Sequence, residues 1–398
     1  MLQNKEVKRK MDGIKEGGTP VSQSIVANIQ LGLPATVSKL SSKMRFIDRI
    51  APALKESGVI RNIELINPLT IKASGIAATN RTANAFGGIL YIAGAVRQDI
   101  LIQEGSIYKT RQESTVDVDE IDDLDSHKKL KFIDIINVYR LFEDLMEDDE
   151  KPELVLVDVP LLLERQDVPL SDRKDLQKVY KECVDKIEGF WEKYKDKIYP
   201  FNDNGIKIAS VGNKRFGAVI FALTQDKVKY VVDDIDRNII VNMNSILPKL
   251  QEVGIKRLLT GILVKRTRTA AYEINRINDE ERNRLEPQSV GKYEMIGMHI
   301  KAGNTTPPTL VEVLGSKELW TTEMLDELAS QIISLIAFDQ QKAMPLPLWY
   351  AKYALNPLEA TNNGKNAILQ YYKTQAREML KNEELENIWK EDLDVFEE

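Results

Sequence analysis

Short apolar runs separated by turn residues fill the chain from about residue 60 to residue 110. They lie at Ile60–Ile66, Leu69–Ser74, Ile89–Val96, Asp99–Gln103 and Ser106–Thr110, and a Gly87–Gly88 pair stands before the third. Runs of this length between turn signals predict β-strands. We therefore predict a meander of three or more strands. The acidic tract that follows, residues 113–125, is typical of a solvated loop or an edge strand.

A helical pattern and a buried strand come next. Apolar residues recur at helical spacing from about Lys128 to Met146, which predicts a helix. Leu154–Val157 is a continuous apolar run, the pattern of a strand that is buried on both faces. Asp158 follows it directly. A carboxylate there needs a divalent cation or hydrogen bonds to compensate its burial. An Asp that caps a turn after the strand is the equal alternative.

The rest of the chain alternates between further helices and strands. Residues 1 to about 57 look helical, with amphipathic stretches at Val21–Leu33 and Met44–Leu54. We predict later strands at Ile206–Val211, Val228–Val232, Ile239–Met243, Leu258–Lys265, Tyr293–Lys301 and Thr309–Val313, and later helices at Arg173–Lys197, Leu325–Phe338 and residues 364–383. Arg215–Leu223 fits a strand or a short helix. This order predicts an α/β fold with a mixed sheet flanked by helices.

The amino-acid composition restricts which metal ligands and which binding partners are possible. Cys183 is the single cysteine and His127 and His299 are the two histidines, so a metal centre would use oxygen ligands, which favours Mg²⁺ or Mn²⁺. No apolar run approaches the ~20 residues that cross a bilayer, and the N-terminus has no apolar signal region. We expect a cytoplasmic protein without membrane contacts. The net charge is -6, so binding to nucleic acid requires a local basic lining.

Two acids on the predicted helix are candidates to join Asp158. Asp134 lies among apolar residues in Phe132–Ile136, which predicts that it faces a packed region, and we prefer it. Glu143 lies in an acidic stretch, where a solvated face is the plainer interpretation. The plainer interpretation of Asp134 is an acid favoured by the positive end of the helix dipole.

Two basic groups are candidates for contact with phosphates. Lys265, Arg266 and Arg268 follow a predicted strand, and Lys214–Arg215 forms a second, weaker group. Basic side chains on one surface supply most of the affinity of DNA-binding proteins. A solvated loop is the alternative for both groups.

Five segments, in chain order, carry a resemblance to a known family. They are Ala73–Gly75 with Phe86–Ile92 after it, Leu156–Leu161, Gly261–Thr269, Thr306–Glu312 and Met344–Lys352. Together they resemble the NurA family, nucleases that work with HerA-type hexameric DNA translocases. No single segment is specific, but all five occur in the order that the family has.

The resemblance implies an RNase H-like core with helical N- and C-terminal extensions. It divides the chain into a helical extension, residues 1–58, for partner or dimer contacts and a nuclease domain, residues 59–398. It implies a deoxyribonuclease of the two-metal type, with exonuclease or endonuclease action, in which Asp158 and Asp134 or Glu143 hold Mn²⁺ or Mg²⁺ and Lys352 contacts phosphate. The implied partners are DNA, a second copy in a homodimer and a HerA-like ATPase, because this chain has no Gly-rich phosphate loop of its own.

The chain departs from the family's pattern at several positions. Ser74 stands where the family's opening metal-binding Asp is expected, and Val159 stands where a Gly follows the strand acid. Met344 and Lys352 stand where the family has Tyr and His. A serine hydroxyl lacks the charge that holds a bare cation, so we expect an impaired nuclease. The alternative is a non-catalytic subunit that binds DNA and the translocase. DNA repair and antiphage defence are both compatible with either function.

Overall fold

The computed structural model describes residues 20–382 except 86–87, 122–124, 164–166, 171–172, 214–227, 237, 240–246, 275–292, 340–343, 360 and 363–364. The basic pair Lys214–Arg215 and the segment Arg215–Leu223 lie outside the described residues, as does most of the predicted strand Ile239–Met243. None of the helices in the described ranges combines the length and the apolar character that a membrane crossing needs.

The N-terminal part of the described chain is one long helix. The two amphipathic stretches that the sequence predicts are joined in α1, which runs from Pro20 to Glu56 over 37 residues. Gly58 follows it with a φ of 83°, a conformation that glycine adopts without strain. Contacts divide the chain into two compact units, with the division between Ala53 and Leu54. The assignment of residues 1–58 to partner contacts stays a prediction.

One mixed sheet of 11 strands forms the second unit, together with a separate two-stranded ribbon. Along the sheet the order is β1-β8-β10-β11-β7-β5-β2-β3-β4, with β6 beside β7 and β9 beside β10. The strands are β1 Ile60–Asn62, β2 Ile71–Ala85, β3 Gly88–Gln103, β4 Ser106–Ile121, β5 Leu154–Val157, β6 Ile198–Tyr199, β7 Ile206–Asn213, β8 Thr267–Thr269, β9 Tyr272–Glu273, β10 Met295–Lys301, β11 Thr309–Leu314, and the ribbon pair β12 Thr361–Asn362 and β13 Lys365–Asn366.

Helices flank this sheet and follow it in the chain. They are α2 Ser126–Glu147, α3 Lys174–Tyr194, α4 Leu247–Val253, α5 Ile255–Ile262, α6 Thr322–Ala337, α7 Leu346–Ala354, α8 Asn356–Glu359 and α9 Ala367–Asn382, with short 3₁₀ turns at Lys195–Lys197 and Val228–Tyr230. The predicted α/β class, a mixed sheet flanked by helices, is confirmed.

The short strand β5 lies at the centre of the parallel part of the sheet. It pairs in parallel with β2 on one side and with β7 on the other. All four of its residues are fully buried, as their continuous apolar pattern predicts. The C-terminal ends of these three strands therefore meet at one edge of the sheet, and Asp158 lies there.

Apolar side chains fill both sides of the central strands. Leu154 and Leu156 of β5 and Ala73 and Ala77 of β2 belong to a large core that also holds residues of α6 and α7. On the other side, α2 packs against the meander through a smaller core made of Tyr91, Ala93, Ile121, Leu130 and Ile133. Asp158 thus lies between the helices of the two layers.

Several predicted elements differ from the structure. The meander is confirmed, but its third and fourth runs form one continuous strand, β3, and residues 113–121 of the acidic tract belong to the edge strand β4. The predicted strand Leu258–Lys265 is wrong, because this segment forms α5 and a turn. The predicted strand Val228–Val232 begins as a 3₁₀ turn, and only Val231 makes a bridge, to Tyr272.

Candidate functional site

Asp158 lies at the end of β5 with its carboxylate largely buried. The exposed fraction of its side chain is 12%. Its Oδ1 accepts the backbone N–H of Ala78 on β2 at 3.1 Å. Because β5 ends at Val157, β2 continues without a strand partner on this side, and the carboxylate accepts a hydrogen bond that a longer β5 would have taken.

Lys352 on α7 forms an ion pair with Asp158. Its Nζ lies 3.1 Å from Asp158 Oδ2, and 42% of its side chain is exposed. The helix reaches this position because Gly75 lets its first turn touch the backbone of β2. A Cβ atom at Gly75 would lie 2.2 Å from the carbonyl carbon of Pro347, so no other residue fits there without moving α7.

Asp134 on α2 reaches the same region from the opposite layer. Asn80 of β2 donates a hydrogen bond from Nδ2 to Asp134 Oδ2 at 2.6 Å. The other oxygen, Oδ1, is buried and has no hydrogen-bond partner among the described residues. Since Ala78 and Asn80 are two residues apart on one strand, β2 links both acids.

The two carboxylates influence each other's protonation. Burial raises the pKa of Asp134 to about 7, the hydrogen bond from Asn80 opposes this rise, and the charge of Asp158 adds to it. Burial also raises the pKa of Asp158, against the opposing effect of the Lys352 ammonium. Both pKa values are thus raised although the Lys352 ammonium pairs with Asp158.

This arrangement fits a divalent cation. The donor set consists of oxygens on two adjacent carboxylates, the ligand type that Mg²⁺ and Mn²⁺ prefer. The buried and unpartnered Oδ1 of Asp134 is an orphaned acceptor that a cation would satisfy. Lys352 supplies one of the missing positive charges but pairs with Asp158 alone.

Ser74 lies too far along β2 to belong to this group. It pairs with Val155, whereas Ala77 is level with Asp158, one step beyond the pair Ile76–Val157. Three residues of strand correspond to about 10 Å. The Ser74 hydroxyl is buried and has no hydrogen-bond partner among the described residues. The geometry thus contradicts the prediction that Ser74 marks the third ligand position.

The whole of β2 carries no carboxylate that could replace Ser74. Its 15 residues, from Ile71 to Ala85, include neither Asp nor Glu. The opening acid of the NurA pattern is therefore absent from this strand, at whichever position it is aligned.

Glu143 faces away from Asp158. It forms an ion pair with Lys186 of α3, with 2.5 Å between Oε2 and Nζ. Nine helical residues separate it from Asp134, which places the two acids on opposite faces of α2. Of the two helix acids that the sequence offers, the structure brings Asp134 to Asp158 and directs Glu143 to the neighbouring helix.

The basic cluster after α5 divides into buried and exposed members. Arg268 is fully buried on β8, where it donates two hydrogen bonds to Asp233 at 2.7 and 2.8 Å and a third to Asp326. The prediction that Arg268 binds DNA is wrong, because none of its surface is available. Lys265 and Arg266 are exposed. Both lie just before β8, which is four strands from β5.

A second group of acids lies elsewhere on the sheet. One carboxylate oxygen from each of Glu273, Glu294 and Glu318 lies within 4.8 Å of the other two. Glu294 precedes β10, which runs in the same direction as β5, so this group lies at the opposite end of the strands from Asp158. It shares no residue with the predicted site.

The sequence analysis missed Asn80 and Ala78. An asparagine and an alanine inside a strand carry no local signal, and the contribution of Ala78 comes from its backbone. The alternation along β2 places the Asn80 side chain on one face of the sheet, whereas the N–H of Ala78 lies in the plane of the sheet. It becomes informative only when the register of β2 against β5 is known.

No protein-family model matches the chain, and no curated protein matches it significantly. Solved structures do match. The NurA nuclease from Sulfolobus solfataricus aligns with 85% of this chain and 92% of its own, at 13% identity and a TM-score of 0.50. A NurA structure with manganese aligns with 88% of this chain and 98% of its own, at 9% identity and a TM-score of 0.38. Endonuclease V from Bacillus subtilis aligns with 82% and 92%, at 10% identity and a TM-score of 0.31.

The chain therefore has a NurA-like fold, a mixed sheet flanked by helices. This likeness concerns the arrangement of the elements. At 13% identity it leaves the chemistry to the residues of this chain.

Proposed function

We propose that this protein is a metal-dependent DNA nuclease whose ion is held by Asp158 and Asp134. The observation that carries the proposal is the approach of these two half-buried acids, from separate layers, to one edge of the sheet. Buried acids with raised pKa values in a nuclease fold are typical of a functional site. Two carboxylates fit one Mn²⁺ or Mg²⁺ better than the two ions of the complete family pattern.

Each residue has a defined part in the proposed site. A bound ion would activate water and stabilise the leaving oxygen of a phosphodiester. The N–H of Ala78 and the amide of Asn80 orient the two carboxylates. Lys352 is exposed enough to exchange its contact with Asp158 for a phosphate oxygen. Lys265 and Arg266 contact phosphates further along the strand of DNA.

The proposed partners are a HerA-like hexameric ATPase and a second copy of this chain. The support for the ATPase is the resemblance of five segments to a family that works with such translocases. The support for a chain–chain contact is the apolar surface of α1, which leaves large side chains exposed at Ile25, Ile29, Leu33, Val37, Leu40 and Met44. Such an assembly serves DNA repair or antiphage defence.

A non-catalytic DNA- and translocase-binding subunit is the second candidate. Two observations favour it: β2 has no carboxylate, and the Lys352 ammonium already neutralises Asp158. In this function the ion pair has replaced the metal, and the fold serves to bind DNA.

A nuclease assay separates the two candidates. Linear single- and double-stranded DNA is incubated with the full chain in Mn²⁺, in Mg²⁺ and in EDTA, with and without the partner ATPase. We expect metal-dependent cleavage that falls by about 100-fold or more in Asp158→Asn, because an ion contributes several kcal/mol to the reaction. Asp203→Asn, at an exposed Asp outside the site, is the matched control and keeps its activity. Absence of cleavage under every condition would establish the second candidate.

A further inference from the structure

Asn80 is the polar side chain of β2 that contacts Asp134, one of the two acids. It is half-buried, and its amide nitrogen contacts Asp134 Oδ2 at 2.6 Å. A carboxylate at this position would stand next to Asp134 and add a third negative charge. The chain has a neutral amide there instead.

The amide fixes which oxygen of Asp134 remains open. Because Oδ2 accepts the hydrogen bond from Asn80, Oδ1 is left buried and without a hydrogen-bond partner among the described residues. A carboxylate held at one oxygen is restrained in rotation, so the other oxygen keeps a fixed direction. Partners that orient a ligand in this way contribute to metal affinity without touching the ion.

The net negative charge of the group is smaller than the charge of a divalent ion. Asp134 and Asp158 each contribute -1 when ionised, and Lys352 contributes +1, so the sum is -1. The number of charged ligands is a main determinant of the affinity for a hard divalent cation. A further anion beside Lys352 would improve the match, and a phosphate of DNA is such an anion.

We propose that Asn80 is a positioning residue: it orients Asp134 for the ion but adds no charge, so the site stays weak until a phosphate of the nucleic acid completes it. The inference depends on the proposed function, since it concerns the same two acids. It adds that metal and DNA bind cooperatively, and it names the residue that sets the extent of this coupling.

The first test is a Mn²⁺ titration without DNA, followed by the electron paramagnetic resonance signal of free Mn²⁺. Asn80→Asp adds a charged oxygen, and we expect the Kd to fall by about tenfold or more. Asn80→Ala releases Asp134, and we expect a Kd about threefold higher or more. Asn84→Asp is the matched control: it adds the same charge on the same strand at an exposed position, and its Kd stays within about twofold of the original.

The second test repeats the titration with a single-stranded oligothymidylate that carries phosphorothioate linkages to slow cleavage. For the unchanged chain we expect the oligonucleotide to lower the Kd for Mn²⁺ by about tenfold, because it adds negative charge at the ion. For Asn80→Asp, which already has that charge, the oligonucleotide should lower the Kd by less. Equal effects on both proteins would overturn the proposed coupling.

Asp158→Asn distinguishes failure of this inference from failure of the proposed function. If Asp158→Asn abolishes Mn²⁺ binding while Asn80→Asp and Asn80→Ala bind as the unchanged chain does, the role of Asn80 is wrong and the ion site stands. If Asp158→Asn also binds as before, both are wrong. Thermal melting identifies any variant that does not fold. If Asn80→Asp fails to fold, Asn80→Ala decides the question by itself.

Discussion

Two clusters of buried charge in this protein differ in how their charges are balanced. Around Arg268, the guanidinium donates hydrogen bonds to Asp233 and Asp326, and Arg61 adds a second cation nearby. Around Asp158, the ammonium of Lys352 pairs with that acid alone, and an oxygen of Asp134 has no hydrogen-bond partner among the described residues. Both clusters are formed by residues far apart in sequence, and both lie at strands of the same sheet.

The pKa directions express this difference. Burial acts to raise the pKa of Asp233, but the hydrogen bonds and charge of Arg268 lower it below its ordinary value. At Asp134 burial wins, and the pKa rises to about 7. Removing one partner from a balanced cluster is costly because it leaves a buried charge uncompensated, whereas an unbalanced cluster already costs stability and is therefore a candidate for function.

The largest expected effect is at the balanced cluster. Arg268→Ala removes both hydrogen bonds from the guanidinium to buried Asp233 and leaves only Arg61 nearby, which costs about 3–5 kcal/mol of the free energy of unfolding. Urea denaturation measures this loss. Lys265→Ala, three residues earlier and exposed, is the control and changes stability by less than about 0.5 kcal/mol. If both variants unfold at the same urea concentration, Arg268 does not compensate the buried charge of Asp233 as we infer.

At the unbalanced cluster we expect a substitution to increase the free energy of unfolding. Asp134 has a pKa of about 7 in the folded protein and an ordinary value of 3.8. The folded state therefore binds more protons between these values, and stability decreases as the pH rises from about 4 to about 7. Asp134→Asn removes this dependence and should stabilise the protein at pH 8 by up to about 4 kcal/mol.

Thermal melting of both proteins from pH 4 to pH 8 checks this prediction. The unchanged chain should lose stability over that range relative to Asp134→Asn. Addition of Mn²⁺ at about 5 mM should recover part of this loss, because the ion binds the folded state. If the stability of the two proteins changes with pH in the same way, the pKa of Asp134 is not raised in the folded protein.

The smallest expected effect is at the exposed basic residues. Lys265→Ala should weaken binding of single-stranded DNA, and the slope of log K against log salt should decrease by about 0.7, the value for one phosphate contact. Fluorescence anisotropy at several salt concentrations measures both. Lys195→Ala, an exposed lysine on the 3₁₀ turn after α3, is the control and leaves the slope unchanged. An unchanged slope in Lys265→Ala would remove it from the proposed DNA contact.

Much of the fold was predictable because its elements have strong local patterns. The long meander, the helix α2 and the buried strand β5 follow from the spacing of apolar residues alone. The segment Leu258–Lys265 was predicted wrongly because a short apolar run has no periodicity that distinguishes a strand from one buried helical face.

The site was less predictable because it depends on register and on distant partners. Ser74 matched a motif locally, but its position relative to Asp158 is set by the pairing of β2 with β5. Arg268 looked like part of a basic surface because its partner Asp233 lies 35 residues away in the chain. Asp134 was preferred over Glu143 because its apolar neighbours predict that it lies on the packed face of α2, and its role as a ligand stays a prediction.

The contact at Gly75 has a consequence for how this protein tolerates change. There the first turn of α7 contacts main-chain atoms of β2 directly, with no side chain between them. This contact helps to fix the distance from the sheet to Lys352. Any side chain at position 75 would push this turn away from the strand and move Lys352 relative to Asp158, so a single methyl group inside the sheet would be felt at the ion pair.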